Sequence, residues 1–285
     1  MRPPDKPLLR AITRPPYPDD DGRKGWFERF SHAQPHVVRK LNLSIPGWPL
    51  TSRPLRIAFL SDFHAGSHTG DVARLAAIVA EAAAQKPDLV LHGGDFMNMQ
   101  PFGGGRIPPR TTAAILARLD APLGRFAILG NHDYTYGAAE VAEALQARGI
   151  AVLNDERRTL HLDGPEVDLI GIPDAREMRA QGRALLREMS GDRPTIVLAH
   201  DPDWFRHVPP GPHLTLAGHT HGGQVRFPIA GALRNASRAP LRWSYGHVVE
   251  GGRHLYVTGG LGTSAIPLRV GVPPEFAIID ISGTR

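Results

Sequence analysis

The sequence predicts a layered α/β fold, an αββα sandwich of two mixed sheets flanked by helices. Three observations predict it. Short uninterrupted apolar runs recur, such as IAFL at 57–60, LVL at 89–91 and FAIL at 126–129. Runs of this length without polar alternation are strands buried on both faces. Between them lie stretches with apolar residues at helical spacing. The second half is denser in strands and poorer in helix, which supplies a second sheet to pack against the first.

Residues 1–24 are rich in Pro, Arg and Asp and have no apolar period, so they read as a loosely packed lead-in. The stretch at 26–30, WFERF, suits a short amphipathic turn or helix that Pro35 limits. It packs on the domain or lies on a membrane surface. From Arg56 the pattern changes. The strand at 57–60 runs into Ser61, Asp62, Phe63 and His64. A helix follows over 71–85, with Val72, Leu75, Val79 and Ala82 at helical spacing, Asp71 as N-cap and Pro87 just past its end. The strand at 89–91 ends in Gly93, Gly94 and Asp95. A Gly/Pro-rich loop at 101–109 leads to a helix around 111–119. The strand at 126–129 ends in Gly130, Asn131, His132 and Asp133. A helix around 138–148 leads to a strand at 150–153.

A strand is then expected at 167–170 and a helix over 175–189. The strand at 195–198 runs to His200, and that at 214–216 to Gly218 and His219. Strands at 254–257 and 276–279 complete the pattern. No internal repeat is visible. The expected division is a basic, partly irregular N-terminal segment over 1–55 and one folded domain over 56–285.

Composition narrows the chemistry. Of 285 residues, 41% are apolar and 21% charged, an ordinary globular balance. No apolar run reaches the roughly 18 residues of a membrane-spanning helix. The N-terminus lacks the apolar stretch of a secretory signal, so the chain is expected in the cytosol. The sequence has no cysteine, which excludes disulfides, thiolate nucleophiles and Cys-ligated zinc or iron–sulfur sites. A metal must bind through His, Asp, Glu, Asn or backbone oxygen, and fourteen histidines are present. The net charge of +5 is uneven: residues 1–56 hold 11 Lys/Arg and 5 Asp/Glu, leaving 22 and 23 for the rest. Basicity therefore belongs to the N-terminal segment, where it favours solubility or a peripheral contact with an anionic membrane on its inner face.

The chemistry lies in a positional pattern. Five apolar strands end in ligand-type residues, usually beside glycine: Asp62 and His64, Asp95, Asn131 and His132, His200, and His219 and His221. Strand ends in α/β folds are where sites assemble. One Asp-x-His commonly marks a turn, and one buried His is commonly a hydrogen-bonded core residue. Five such ends together are another matter. Burying these groups unpartnered would cost about 1–3 kcal/mol each, and metal ions would satisfy them jointly. Carboxylate, imidazole and amide oxygen without sulfur suit divalent Mn, Fe, Zn or Co. So many candidate ligands exceed one tetrahedral site and match two ions sharing a carboxylate, the clamp used for hydrolytic displacement at phosphorus.

With these motifs the sequence resembles the calcineurin-like metallophosphoesterase superfamily, from about residue 56 onward. Ser61-Asp62-Phe63-His64, Gly94-Asp95, Gly130-Asn131-His132-Asp133, Ala199-His200 and Gly218-His219-Thr220-His221 look like its five blocks in order. The continuation Gly222-Gly223-Gln224, with GLGT at 260–263, resembles a bacterial branch that includes membrane-associated enzymes and some acting on diacylglucosamine nucleotides. The resemblance implies that Asp62, His64 and His221 hold one metal and that Asn131, His200 and His219 hold a second. Asp95 would bridge them, His132 would act at the leaving oxygen, and Asp133 would orient His132. One departure is Asn98, where many relatives carry an acid. The implied activity is hydrolysis of phosphoester or pyrophosphate bonds by a hydroxide activated between two metals.

Substrate preference is expected outside the blocks. Residues 226–247 contain Arg226, Arg234, Arg238 and Arg242 and no acid, with Phe227, Ile229, Leu233, Leu241 and Trp243 interleaved. Such a loop suits an anionic group with an apolar attachment, such as a lipid-linked phosphoester at a membrane surface. The rival readings are a general phosphomonoesterase or phosphodiesterase, a nuclease, and a non-enzymatic scaffold. The slightly acidic body and the lack of an aromatic–basic run argue against nucleic acid. A scaffold would lack ligands, and here every position is filled.

Overall fold

A computed structural model of the chain describes residues 32–99, 105–174, 179–227, 231–232, 235–265 and 267–284. The amphipathic stretch at 26–30 and part of the 101–109 loop lie outside these residues. The first sheet has the order β1 (Val37–Pro46), β14 (Glu275–Thr284), β2 (Leu55–Leu60), β3 (Leu89–His92), β4 (Arg125–Ala127), β5 (Ala151–Val152). Strands β2 to β5 run parallel, while β14 is antiparallel to β2 and parallel to β1. The second sheet has the order β12 (Gly246–Glu250), β13 (Arg253–Val257), β9 (His213–Ala217), β8 (Thr195–Ala199), β7 (Glu166–Ile172), β6 (Glu156–His161). Its four central strands are parallel and its two edges antiparallel. A two-stranded ribbon pairs β10 (Arg226–Phe227) with β11 (Gly231–Ala232). The helices are α1 (Asp71–Ala84), α2 (Pro109–Leu116), α3 (Asn131–Gln146) and α4 (Arg179–Arg187).

The period-2 geometry of a strand sorts the core into layers. On β2, Ala58 and Leu60 pack with Leu75, Ile78 and Val79 of α1, whereas Ile57 and Phe59 pack with Ile196, Leu198, Leu214 and Leu216 of the second sheet. On β8, Val197 and Ala199 turn away from the first sheet, toward Trp204 and Phe205. Both faces of both sheets are therefore covered, which is why these strands read as unbroken apolar runs. Phe59 is fully buried between the sheets, and Phe59→Ala would cost about 3–5 kcal/mol.

Strands β6, β10, β11 and β12 have no counterpart in the sequence expectation, and three further features differ from it. Strand β1 lies inside the 1–55 segment and pairs along its whole length with β14. Helix α3 begins at Asn131 and not near 138, with Gly137 at φ 146° breaking the helix within. Its first turns carry site residues and so lack the apolar period that betrays a helix. The N-cap of α1 is Gly70 in the left-handed region, not Asp71. The Asp71 carboxylate instead accepts from Gly66 N (2.7 Å) and Arg74 Nε (2.6 Å), closing the loop before the helix. Among the described residues no helix is long and apolar enough to cross a membrane.

Candidate metal centre

The carboxyl ends of β2, β3, β4, β8 and β9 converge on one edge of the sandwich. Their first loop residues pair across the two sheets: His200 Nδ1 donates to Gly93 O (2.7 Å), and His219 N donates to Asp62 Oδ1 (2.9 Å). Backbone spacing there is tight enough to require glycine. A Cβ on Gly130 would lie 2.2 Å from Asp95 Oδ1 and 2.6 Å from His200 Cε1. Asp62, His64, Asp95, His219 and His221 all hold positive φ, between 39° and 66°. Such conformations cost about 1–3 kcal/mol each and collect at functional sites.

Two trios of ligand-type side chains that share no residue result. Asp62, His64 and His221 form one, and Asp95, His200 and His219 the other; within each, the donor atoms lie within 4.8 Å of one another. In the first, His64 Nε2 and His221 Nε2 face each other at 3.0 Å, and His221 Nε2 stands 3.7 Å from Asp62 Oδ1. Between the trios, Asp95 Oδ2 lies 3.5 Å from His64 Nε2 and 3.4 Å from His200 Nε2. Asn131 Oδ1 is 3.4 Å from His200 Nε2. All of these except Asn131 are buried.

The protonation states suit ligation. Burial pushes His64 down to about 3, with His132 and His200 adding to the effect, and holds His221 well below the usual range. Burial lowers His219 too. These imidazoles are neutral, the form a metal requires, so the His64–Asp95 contact is not an ion pair. Burial raises Asp62 to about 6, with Asp95 a further cause. For Asp95, burial is outweighed by His200 and His132, and the carboxyl lies well below its ordinary range. For His200, burial is outweighed by Asp95 and Asp62, so the imidazole holds a proton above the usual range. That proton marks negative charge which a cation would balance. His64 Nδ1 and Ser61 Oγ are buried without a partner among the described residues. Buried carboxylates and imidazoles, with a partly exposed amide, converging without sulfur fit divalent ions.

His132 belongs to a third trio with His64 and Asp95, so distance alone does not separate it from the ligands. Its ring lies edge-on to that of His64, 4.5 Å between centroids. It differs in being partly exposed and in placing Nε2 3.5 Å from Ser264 Oγ. Its backbone N donates to Asp95 Oδ1 (2.9 Å). Asp133 was expected to orient this imidazole, but its oxygens accept from Met97 N (3.0 Å) and Gly130 N (2.9 Å). It acts on the chain that carries His132 and not on the ring. Burial, then the charge of Asp95, raises Asp133 to about 7.

Outside the blocks, Asn98 Nδ2 donates to Gly105 O (2.8 Å), tying down the 101–109 loop where it is described. Arg242 is held by Glu250 (2.6 Å) and lies over Trp243, while Arg226 lies over Tyr245. Ile229, Leu233 and Arg234 lie outside the described residues. The same loop reaches the site: Ala236 O is 3.4 Å from His219 Nε2, and Ser237 Oγ donates to Asp201, whose Oδ2 is 3.9 Å from that nitrogen. Sequence reasoning missed Asp201 and Arg269. Asp201, directly after His200, carried the signal of a carboxylate beside a histidine block. A cavity of about 130 Å³ lies at the other end of the strands, lined by Arg53, Leu55, Asp88, Leu123 and Leu162, and includes none of the strand-end residues Asp62, His64, Asp95, Asn131, His200, His219 and His221.

The chain is similar to known proteins. The family model for calcineurin-like phosphoesterase matches residues 55–223. The chain is 27% identical to the uncharacterized metallophosphoesterase YkuE of Bacillus subtilis, over 92% of this chain and 91% of that protein. It is 29% identical to the phosphodiesterase YaeI of Escherichia coli, over 90% and 89%. A solved structure of Haemophilus influenzae NAD nucleotidase overlays with a TM-score of 0.47 at 16% identity, over 72% of this chain and 44% of that one. With the matched segment holding Asp62, His64, Asp95, Asn131, His200, His219 and His221, the chain belongs to the calcineurin-like phosphoesterase family.

Proposed function

We propose that this metal-dependent phosphoesterase works with two divalent ions. Asp62, His64 and His221 hold the first, Asn131, His200 and His219 the second, and Asp95 serves both. One observation carries this reading: Asp95 Oδ2 stands within 3.5 Å of an imidazole from each trio. Manganese, iron, zinc and cobalt all suit the donors. The test is metal analysis of the purified chain beside turnover of bis-p-nitrophenyl phosphate. Two ions per chain with metal-dependent turnover is expected, and a single ion at saturation overturns the reading.

Bound ions would neutralise phosphoryl charge and acidify a water toward neutral pH. The chain's own part follows from the contacts. Asp95 Oδ1 accepts the His132 N–H while Oδ2 faces the imidazoles, so one carboxylate sets the leaving-group residue in register with the ligands. His132, partly exposed at the rim, donates a proton to the departing oxygen. No serine or cysteine nucleophile is needed.

The substrate class supported best is a phosphodiester, the activity in the name of the Escherichia coli relative. The finer reading is a phosphoester on a lipid, met at an anionic membrane surface on the cytosolic side. Its support is Phe227, 46% exposed, next to Arg226 on the ribbon beside the site. Turnover of monoesters, diesters and lipid pyrophosphates, with and without anionic vesicles, tests it. Equal rates on water-soluble and vesicle-borne diesters would overturn the lipid reading and leave the diester reading standing.

A further inference from the structure

The segment after the glycine-rich loop reverses the usual sorting of side chains. Leu268 and Val270 are 51% and 39% exposed, while Arg269 between them is 4% exposed. Turning an arginine inward past two outward apolar residues is costly unless the guanidinium is fully engaged. It is engaged by backbone. Nη2 donates to Gly259 O (2.7 Å), Gly260 O (3.2 Å) and Gly262 O; Nε donates to Gly262 O (3.0 Å), and Nη1 to Val272 O (3.4 Å). Nη2 also reaches His221 Nδ1 at 3.2 Å.

The loop gathered this way is the floor under the first trio. Leu261 N donates to Ser61 O (3.1 Å), and Gly262 N to Asp62 O (2.6 Å). The approach leaves no room for a side chain: a Cβ on Gly260 would lie 2.6 Å from Asp62 Cβ, and one on Gly262 would lie 2.7 Å from His64 Cβ. One guanidinium thus touches the ring of His221 directly and fixes the backbone beneath Asp62 and His64. It makes no such contact with Asp95, His200 or His219 among the described residues.

We infer that Arg269 is the positioning residue of the Asp62, His64 and His221 site, and that it serves that site alone. The inference rests on the two-ion reading. A planar fork that donates to several carbonyls at once is what arginine offers and lysine lacks. Its charge acts in the opposite sense, because a fixed cation beside a cation site weakens binding. Position and charge therefore predict opposite outcomes when the residue is removed.

The test titrates Mn²⁺ into the metal-stripped full chain by calorimetry, for wild type, Arg269→Met and Arg269→Lys, with circular dichroism to verify folding. Wild type takes up two ions. Arg269→Met keeps one of them at wild-type affinity and loses about 10–100-fold in affinity for the other, the usual effect of removing a group that orients metal ligands. Arg269→Lys keeps the charge, loses the fork and shows the same selective loss; it carries the comparison if the methionine variant is not recovered folded. Two ions bound by Arg269→Met as tightly as by wild type, or more tightly, overturn the inference, as do equal losses at both sites. Fewer than two ions in wild type overturn the two-ion reading, and this inference with it.

Discussion

His64 Nε2 and His221 Nε2 face each other across 3.0 Å, although the residues are 157 positions apart in the chain. One proton at most fits between them, and burial keeps both rings neutral. Two buried lone-pair donors aimed at one point are held there by the fold and relieved by a cation.

Chelation should therefore destabilise the protein as well as stop turnover. A site binding only the native state stabilises it by about 2.7 kcal/mol at a free-ion concentration 100 times Kd. Differential scanning calorimetry with EDTA, then with added Mn²⁺, should show the melting temperature fall and recover. A melting temperature indifferent to both would contradict a metal site at this edge.

Asp95→Asn should lower metal content at both sites. The carboxylate lies against His64 and His200 together, and the amide cannot offer the same charge. Metal content by mass spectrometry should fall from two ions to one or fewer per chain, with turnover lost. A retained content of two would remove Asp95 from the bridging role.

His132→Ala should separate chemistry from binding. Turnover is expected to drop by about 10²–10⁴-fold, the usual effect of losing an acid–base group, while both ions stay bound. Because His132 also lies within ligand distance of His64 and Asp95, loss of an ion in this variant would make it a ligand instead.

Asp155 gives a pH dependence away from the ligands. Burial alone raises its carboxyl to about 6, and both oxygens lack partners among the described residues. Well below pH 4, near pH 3, the group is mostly protonated folded or unfolded and costs little. As pH rises toward 6 the unfolded chain ionises first, so the unfolded state binds fewer protons and stability falls. Asp155→Asn should stabilise at pH 7 by about 1 kcal/mol, discounted for residual solvent, and leave stability at about pH 3 nearly unchanged. Asparagine tolerates the positive φ of 51° there. Urea unfolding at the two pH values measures this.

The layers and the ligand-bearing strand ends were legible because both follow from local pattern. IAFL at 57–60 is apolar throughout since β2 is buried on both faces, and Asp62 interrupts it where the strand ends. What escaped depends on distant partners. Strand β1 alternates Leu41, Leu43 and Ile45 with Lys40, Asn42 and Ser44, an edge-strand period overlooked beside a proline-rich lead-in. Asp133 looked like a partner for its neighbour His132, but at the third position of a helix its carboxylate folds back on Gly130 N. Arg269 left no trace because all but one of its contacts are carbonyl oxygens, which every residue carries.

Strand β14 lies between β1 and β2, so the strand leading to Asp62 is flanked on one side by residues 277–281. During synthesis at about 5–20 residues per second, β2 leaves the ribosome with that side open and waits roughly 10–45 s for its neighbour. The apolar faces of Ile57 and Phe59 need shelter over that interval. Assembly of the hydrolytic centre therefore waits on β14, made long after the strand that leads to Asp62.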